Sequence, residues 1–114
     1  MMGLADTPTI HWYTDTTMAW YLFALVYAAK QPPLVISMSY GSEERYLSIS
    51  EYTTFEESAK KLGVMGVTVV ASAGDDGVSA HPARFDVNKC SYMPTWPASC
   101  PYVISVGATQ VRLK

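Results

Sequence analysis

Charge is scarce in this chain of 114 residues: 16% of positions are charged, and 8 Lys+Arg against 10 Asp+Glu leave a net charge of −2. No basic run exceeds the pair Lys60-Lys61. Without a basic excess there is no electrostatic footprint for nucleic acid. Two cysteines and two histidines are too few for a disulfide-built miniprotein or a rich metal site. The longest apolar stretch, residues 18–29, falls short of the roughly 20 residues that span a bilayer, so it reads as a buried helix and no membrane contact is expected. The first residues, Met1-Met2-Gly3-Leu4-Ala5-Asp6, carry neither a basic n-region nor a cleavage pattern, and no signal peptide is read there. There is no Asn-x-Ser/Thr sequon, internal repeat or low-complexity tract. What the chain does have is apolar content, 49%. That excludes disorder as the main state and suits one globular domain or part of a larger one.

The apolar pattern alternates between strand-like and helix-like segments. Residues 9–13 form a short strand candidate, and Asp15 is a plausible N-cap for a helix over 16–30 that is apolar nearly all round. Gln31-Pro32-Pro33 stops that helix. Residues 34–39 are a continuous apolar run closed by Gly41, the pattern of a strand buried on both faces. Residues 50–62 are amphipathic: Tyr52, Phe55, Ala59 and Leu62 recur at helical spacing against Glu56, Glu57, Lys60 and Lys61, with Gly63 as the cap. Residues 67–73 form a second buried strand, 78–100 a long proline-containing loop, and 102–106 a third buried strand. Strands alternating with helices imply an α/β fold with parallel pairing and right-handed crossovers.

In such sheets ligands collect at the carboxyl ends of the strands. Here those ends are Ser39-Tyr40-Gly41, Gly74-Asp75-Asp76-Gly77 and Gly107-Ala108-Thr109. Gly74-Asp75-Asp76-Gly77 is no phosphate loop, because it lacks the glycine spacing and its two carboxylates would repel phosphate. A nucleotide-binding α/β domain is disfavoured for the same reason. From spacing alone the segment is either a polar turn, for which Asp and Gly are standard residues, or a functional carboxyl at a strand end.

Three segments occur in the order found in the sedolisins, the serine-carboxyl peptidases that include tripeptidyl-peptidases. They are Pro33-Leu-Val-Ile-Ser-Met-Ser-Tyr-Gly41, Ala71-Ser-Ala-Gly-Asp-Asp-Gly77, and Pro94-Thr-Trp-Pro-Ala-Ser-Cys-Pro-Tyr-Val-Ile-Ser-Val-Gly-Ala-Thr109. The resemblance covers roughly residues 10–110, and the third segment is the most specific. It implies a subtilisin-like parallel sheet with flanking helices, in three layers of which this chain holds a part. It also implies a serine-type endopeptidase or tripeptidyl-peptidase working in acid, in a lysosomal, vacuolar or secreted setting, on peptide or protein substrates. The family motif Ser-Gly-Asp-x-Gly aligns with Ala73-Gly74-Asp75-Asp76-Gly77, with Ala73 in place of the commoner Ser. The resemblance therefore gives Asp75 the oxyanion-stabilising role and leaves Asp76 as a solvated neighbour. Ser39, Tyr40 and Gly41 resemble the strand whose backbone pairs with an extended substrate, and Gly74 borders the same cleft; a strand end that simply needs Gly is the alternative for Gly41. Glu43 and Glu44 read as a solvated loop pair; the alternative the resemblance implies is an acidic residue bordering the specificity pockets. Trp96-Pro97 matches a position where the superfamily often holds a cis proline.

The resemblance also says what to look for and not find. The family's Ser nucleophile lies in Gly-Thr-Ser-Ala and its base pair in Glu-x-x-x-Asp; neither motif occurs here. By the family's order the base pair would precede Met1, and the nucleophile and the calcium site would follow Lys114, so no cofactor is expected within the chain. It reads as 1–114 of a peptidase domain, central portion only; a non-catalytic peptide-binding module is the alternative. Ser79-Ala80-His81 imitates a nucleophile motif but sits on the loop that should carry the oxyanion group, which argues against it. In the family a Cys at the position of Cys90 often pairs with a distant Cys, and Ser stands at the position of Cys100. Two free or differently paired thiols are therefore favoured over a Cys90–Cys100 bridge.

Overall fold

The computed structural model describes residues 32–79 and 81–109. The strand expected at 9–13, the Asp15 cap and the helix expected at 16–30 lie outside these residues, as does His11.

Three parallel strands form the sheet: β1 (Val35–Met38), β3 (Thr68–Ser72) and β5 (Ile104–Val106), in the order β1-β3-β5. β1 runs alongside β3 with Val35 opposite Thr68 and Met38 opposite Ala71, and β3 alongside β5 with Val70 opposite Ile104 and Ser72 opposite Val106. The connection from β1 to β3 runs through α1 (Ile49–Val64), as a parallel pair requires. A second, antiparallel ribbon joins β2 (Ser42–Glu43) to β4 (Thr95–Trp96). The parallel sheet and its helix are a partial subtilisin-like α/β fold.

The core follows from the two side-chain periods. Every second strand residue faces the helix, so Ile36, Val67, Val69 and Ala71 are buried. On α1, Phe55, Ala59 and Leu62 return at helical spacing and form one cluster with Ile36, Val67, Val69, Trp96 and Cys100. Burying side chains of this size contributes about 1.5–3 kcal/mol each. The cover expected on the other face of the sheet, the helix over 16–30, lies outside the described residues. The opposite side chains are open: Val35 is 56% exposed, Ile104 54% and Val106 50%. Only one helix layer is described, and it covers one face.

Both ends of α1 differ from the sequence reading. The helix starts earlier because Ser48 caps it: the Glu51 N–H donates to Ser48 Oγ (3.3 Å) and the Ser48 N–H to Glu51 Oε2 (2.8 Å), a reciprocal capping box. It also ends later. Gly63 is helical, and Gly66, at φ +82°, makes the left-handed turn. The Gly66 N–H donates to the Gly63 carbonyl (3.0 Å) and the Val67 N–H to the Leu62 carbonyl (3.0 Å). These are the two bonds of a Schellman stop, with Leu62 and Val67 supplying its buried apolar pair.

Candidate active site

The carboxyl ends of β1 and β3 lie side by side, and β4 joins them. Thr95 on β4 touches both loops: a Cβ on Gly41 would come within 2.8 Å of Thr95 Cγ2, and one on Gly74 within 3.4 Å of Thr95 Oγ1. Gly41 is thus required by close packing against the ribbon, where Trp96 O would stand 3.3 Å from the same Cβ. Gly74, at φ +91°, is required by its backbone conformation. The structure brings Ser39, Tyr40, Gly41 and Gly74 to one edge of the sheet, as expected.

Tyr40 faces inward. Its ring stands edge-on to Trp96 (centroids 5.9 Å apart, 90°), and burial pushes its phenol above the ordinary value. Trp96 is 2% exposed and also meets Phe55 edge-on at 4.8 Å. The Trp96-Pro97 peptide is cis, as the motif suggested. What the Ser39-Tyr40-Gly41 segment offers outward is therefore backbone and the exposed Ser39.

Asp75 and Asp76 have different surroundings. Asp75 is exposed, and its carboxyl has no hydrogen-bond partner among the described residues. Asp76 departs from the expected solvated neighbour: its side chain is 19% exposed and Oδ1 accepts from Arg84 Nε. The Asp76 carboxylate, and in smaller part that of Asp75, favours the charged form of Arg84. Arg84 ends a 3-10 turn, His81–Arg84, that folds back over the loop. The loop itself closes through a turn in which the Ser79 N–H donates to the Asp76 carbonyl (3.2 Å) with Gly77 at φ +61°. A bridge between Ser79 and Tyr92, and a bond from the Met93 N–H to the Val78 carbonyl (3.1 Å), stitch it to the segment entering β4.

A hollow of about 210 Å³ opens beside this loop, lined among others by Ala73, Gly77, Thr95, Ala98 and Ser99. The Ser99 hydroxyl is buried with no hydrogen-bond partner among the described residues.

Glu43 is a further correction. It sits on β2 opposite Thr95 with a side chain 13% exposed and pairs with Arg45 Nη2 at 2.6 Å, so it is no solvated loop residue. The Glu44 N–H donates to the Pro94 carbonyl (3.0 Å), tying the same loop to the ribbon. Ser79 does not meet His81: its hydroxyl shares a 3.2 Å bond with Cys90 Sγ, while the exposed His81 ring stands edge-on to Phe85. Both cysteines are free, and burial pushes the Cys100 thiol up. Among the described residues no three His, Cys, Asp or Glu side chains gather to hold a metal, and no helix is long and apolar enough to cross a membrane.

A parallel three-stranded sheet with a crossover helix and glycine-bearing loops at its carboxyl end is consistent with part of a subtilisin-like domain. Residues 7–112 match the Subtilase family, and the chain belongs to it. The sedolisin resemblance is borne out by its relatives. The chain is 39% identical over 94 residues to tripeptidyl-peptidase SED2 of Arthroderma otae, covering 78% of this chain and 16% of that protein. It is 37% identical over 89 residues to tripeptidyl-peptidase sed1 of Aspergillus fumigatus, covering 73% and 14%. It is 39% identical over 87 residues to aorsin of Aspergillus oryzae, covering 71% and 13%. The matched part of the chain thus spans about a seventh of the length of these relatives.

Proposed function

We propose that this chain is the oxyanion-side portion of a sedolisin-type serine peptidase acting on peptides or proteins in an acidic compartment, vacuolar, lysosomal or secreted. The observation that carries the proposal is the placement of Asp75. Asp75 is exposed and directly follows Gly74, which packs against the same Thr95 as Gly41, and its loop neighbours Ala73 and Gly77 line a hollow of about 210 Å³.

In this proposal an extended peptide adds as a strand along Ser39-Tyr40-Gly41, held by main-chain hydrogen bonds. Its scissile carbonyl comes to lie near Asp75. A carboxylate would repel the negative charge that develops on that oxygen; a carboxylic acid stabilises it by donating its O–H. The proposed role therefore requires the carboxylic acid form, which is why the proposal places the enzyme in acid. The Ser nucleophile and the Glu/Asp base pair come from other parts of the complete peptidase. The 114-residue chain alone therefore gives no turnover of a chromogenic peptide between about pH 3 and 7.

The test is kinetic. In the complete peptidase, Asp75→Ala lowers kcat by about 100- to 1,000-fold, the usual scale for one oxyanion donor, and changes KM little. Asp75→Asn restores a neutral N–H donor and retains more activity than Asp75→Ala. Equal and small losses for the two variants would make Asp75 a turn residue and nothing more.

A further inference from the structure

We infer that Arg84 is a positioning residue for Asp75, acting through Asp76; this rests on the oxyanion assignment of Asp75. Asp75 is exposed and no side-chain hydrogen bond holds it among the described residues; Arg84 feels its carboxylate only weakly, well after that of Asp76. Glycines stand on both sides of the pair Asp75-Asp76, and both take positive φ values, +91° at Gly74 and +61° at Gly77. Such a segment has wide backbone freedom. An oxyanion donor works only if aimed in advance, because geometry that must be found during the reaction adds to the barrier. The aim of Asp75 therefore has to come from its neighbours.

On one side that support is packing. Gly74 lies against Thr95, on a strand anchored by buried Trp96. On the other side it is the ion pair between Asp76 and Arg84. Arg84 does not come from the loop itself. It ends the 3-10 turn His81–Arg84, which is closed by bonds from the Phe85 and Asp86 N–H groups to the Pro82 carbonyl, both 3.1 Å. A separately folded turn thus reaches back and fixes the residue next to Asp75. The pair is partly exposed, and pairs of that kind contribute little to overall stability. Its value to the molecule lies in geometry. Arg suits the task because its guanidinium stays charged at every working pH and holds a carboxylate in a fixed orientation.

The experiment measures kcat, KM and melting temperature of the complete peptidase carrying Arg84→Gln, Asp76→Ala, the double substitution, Arg84→Lys, and Asp75→Ala as reference. Arg84→Gln and Asp76→Ala are each expected to lower kcat about tenfold with KM and melting temperature nearly unchanged. The double variant is expected to lose no more than either single one, because both remove one link. Arg84→Lys, which keeps the charge without the planar guanidinium, is expected to recover only part of the kcat lost in Arg84→Gln. If Asp75→Ala abolishes activity while Arg84→Gln keeps full kcat, Arg84 has no positioning role and the oxyanion assignment stands. Additive losses in the double variant would also overturn the proposal, since the two residues would then act independently. If Asp75→Ala itself keeps activity, the oxyanion assignment fails and the positioning role falls with it.

Discussion

At Gly63 an added Cβ would meet nothing within 4 Å, and the backbone there is helical. At Gly66 the space is equally open, but φ is +82°. The two glycines are three positions apart and should respond oppositely to alanine. Gly63→Ala is expected to raise stability by about 0.5–1 kcal/mol, because it removes unfolded-state freedom from an exposed helical site. Gly66→Ala is expected to lower it by about 1–2 kcal/mol, the cost of a left-handed residue with a Cβ. Urea unfolding midpoints measure both; a stabilising Gly66→Ala would mean that the helix does not end in the turn described. Glycine at either position satisfies the sequence signal for a helix stop. The Leu62 to Val67 pairing that selects Gly66 depends on the core that both side chains join. The same holds for the two aspartates: the motif separates Asp75 from Asp76, yet only the fold shows that Asp76 is held by Arg84.

Among the elements, α1 carries a pH dependence in its first turn. Hydrogen bonds from the Ser48 hydroxyl and backbone N–H hold the Glu51 carboxyl below its ordinary value of 4.5. A depressed folded value means that the stabilisation is fully present above that ordinary value and is lost as pH falls through the lower folded one. Helix stability is therefore expected to decline on the acid side, and Glu51→Gln to flatten that decline. Ser48→Ala is expected to cost about 1 kcal/mol at neutral pH and less in acid. Far-UV circular dichroism during denaturant unfolding at two pH values checks both; an acid dependence unchanged by Glu51→Gln would place its origin elsewhere. The strands were legible because their β-branched runs are local signals: 34–39, 67–73 and 102–106 became Val35–Met38, Thr68–Ser72 and Ile104–Val106. The β2–β4 ribbon was not, since two two-residue strands have no periodicity to read and pair across about 50 positions. That ribbon places Thr95 between Gly41 and Gly74 and takes Glu43 out of solvent.

For the whole molecule, the parallel order of the sheet decides where chemistry can occur. Side-by-side strands running the same way bring Ser39-Tyr40-Gly41 and Gly74-Asp75 to one edge, although they are more than thirty positions apart in sequence. The placement of that edge followed from the strand pattern; the role proposed for Asp75 rests on the sedolisin resemblance and not on spacing. The cover expected on the second sheet face falls on residues 16–30, outside the described residues; an apolar run shows that a strand wants cover and not which segment provides it. The central claim is that Asp75 acts as a protonated donor. The most direct test is the pH profile of kcat for the complete peptidase beside that of its Asp75→Asn variant. The protonated-donor account predicts that the parent loses rate as pH rises, while the Asn variant, slower in acid, declines less steeply. Parallel profiles, with Asp75→Asn and Asp75→Ala equally impaired at every pH, would contradict it.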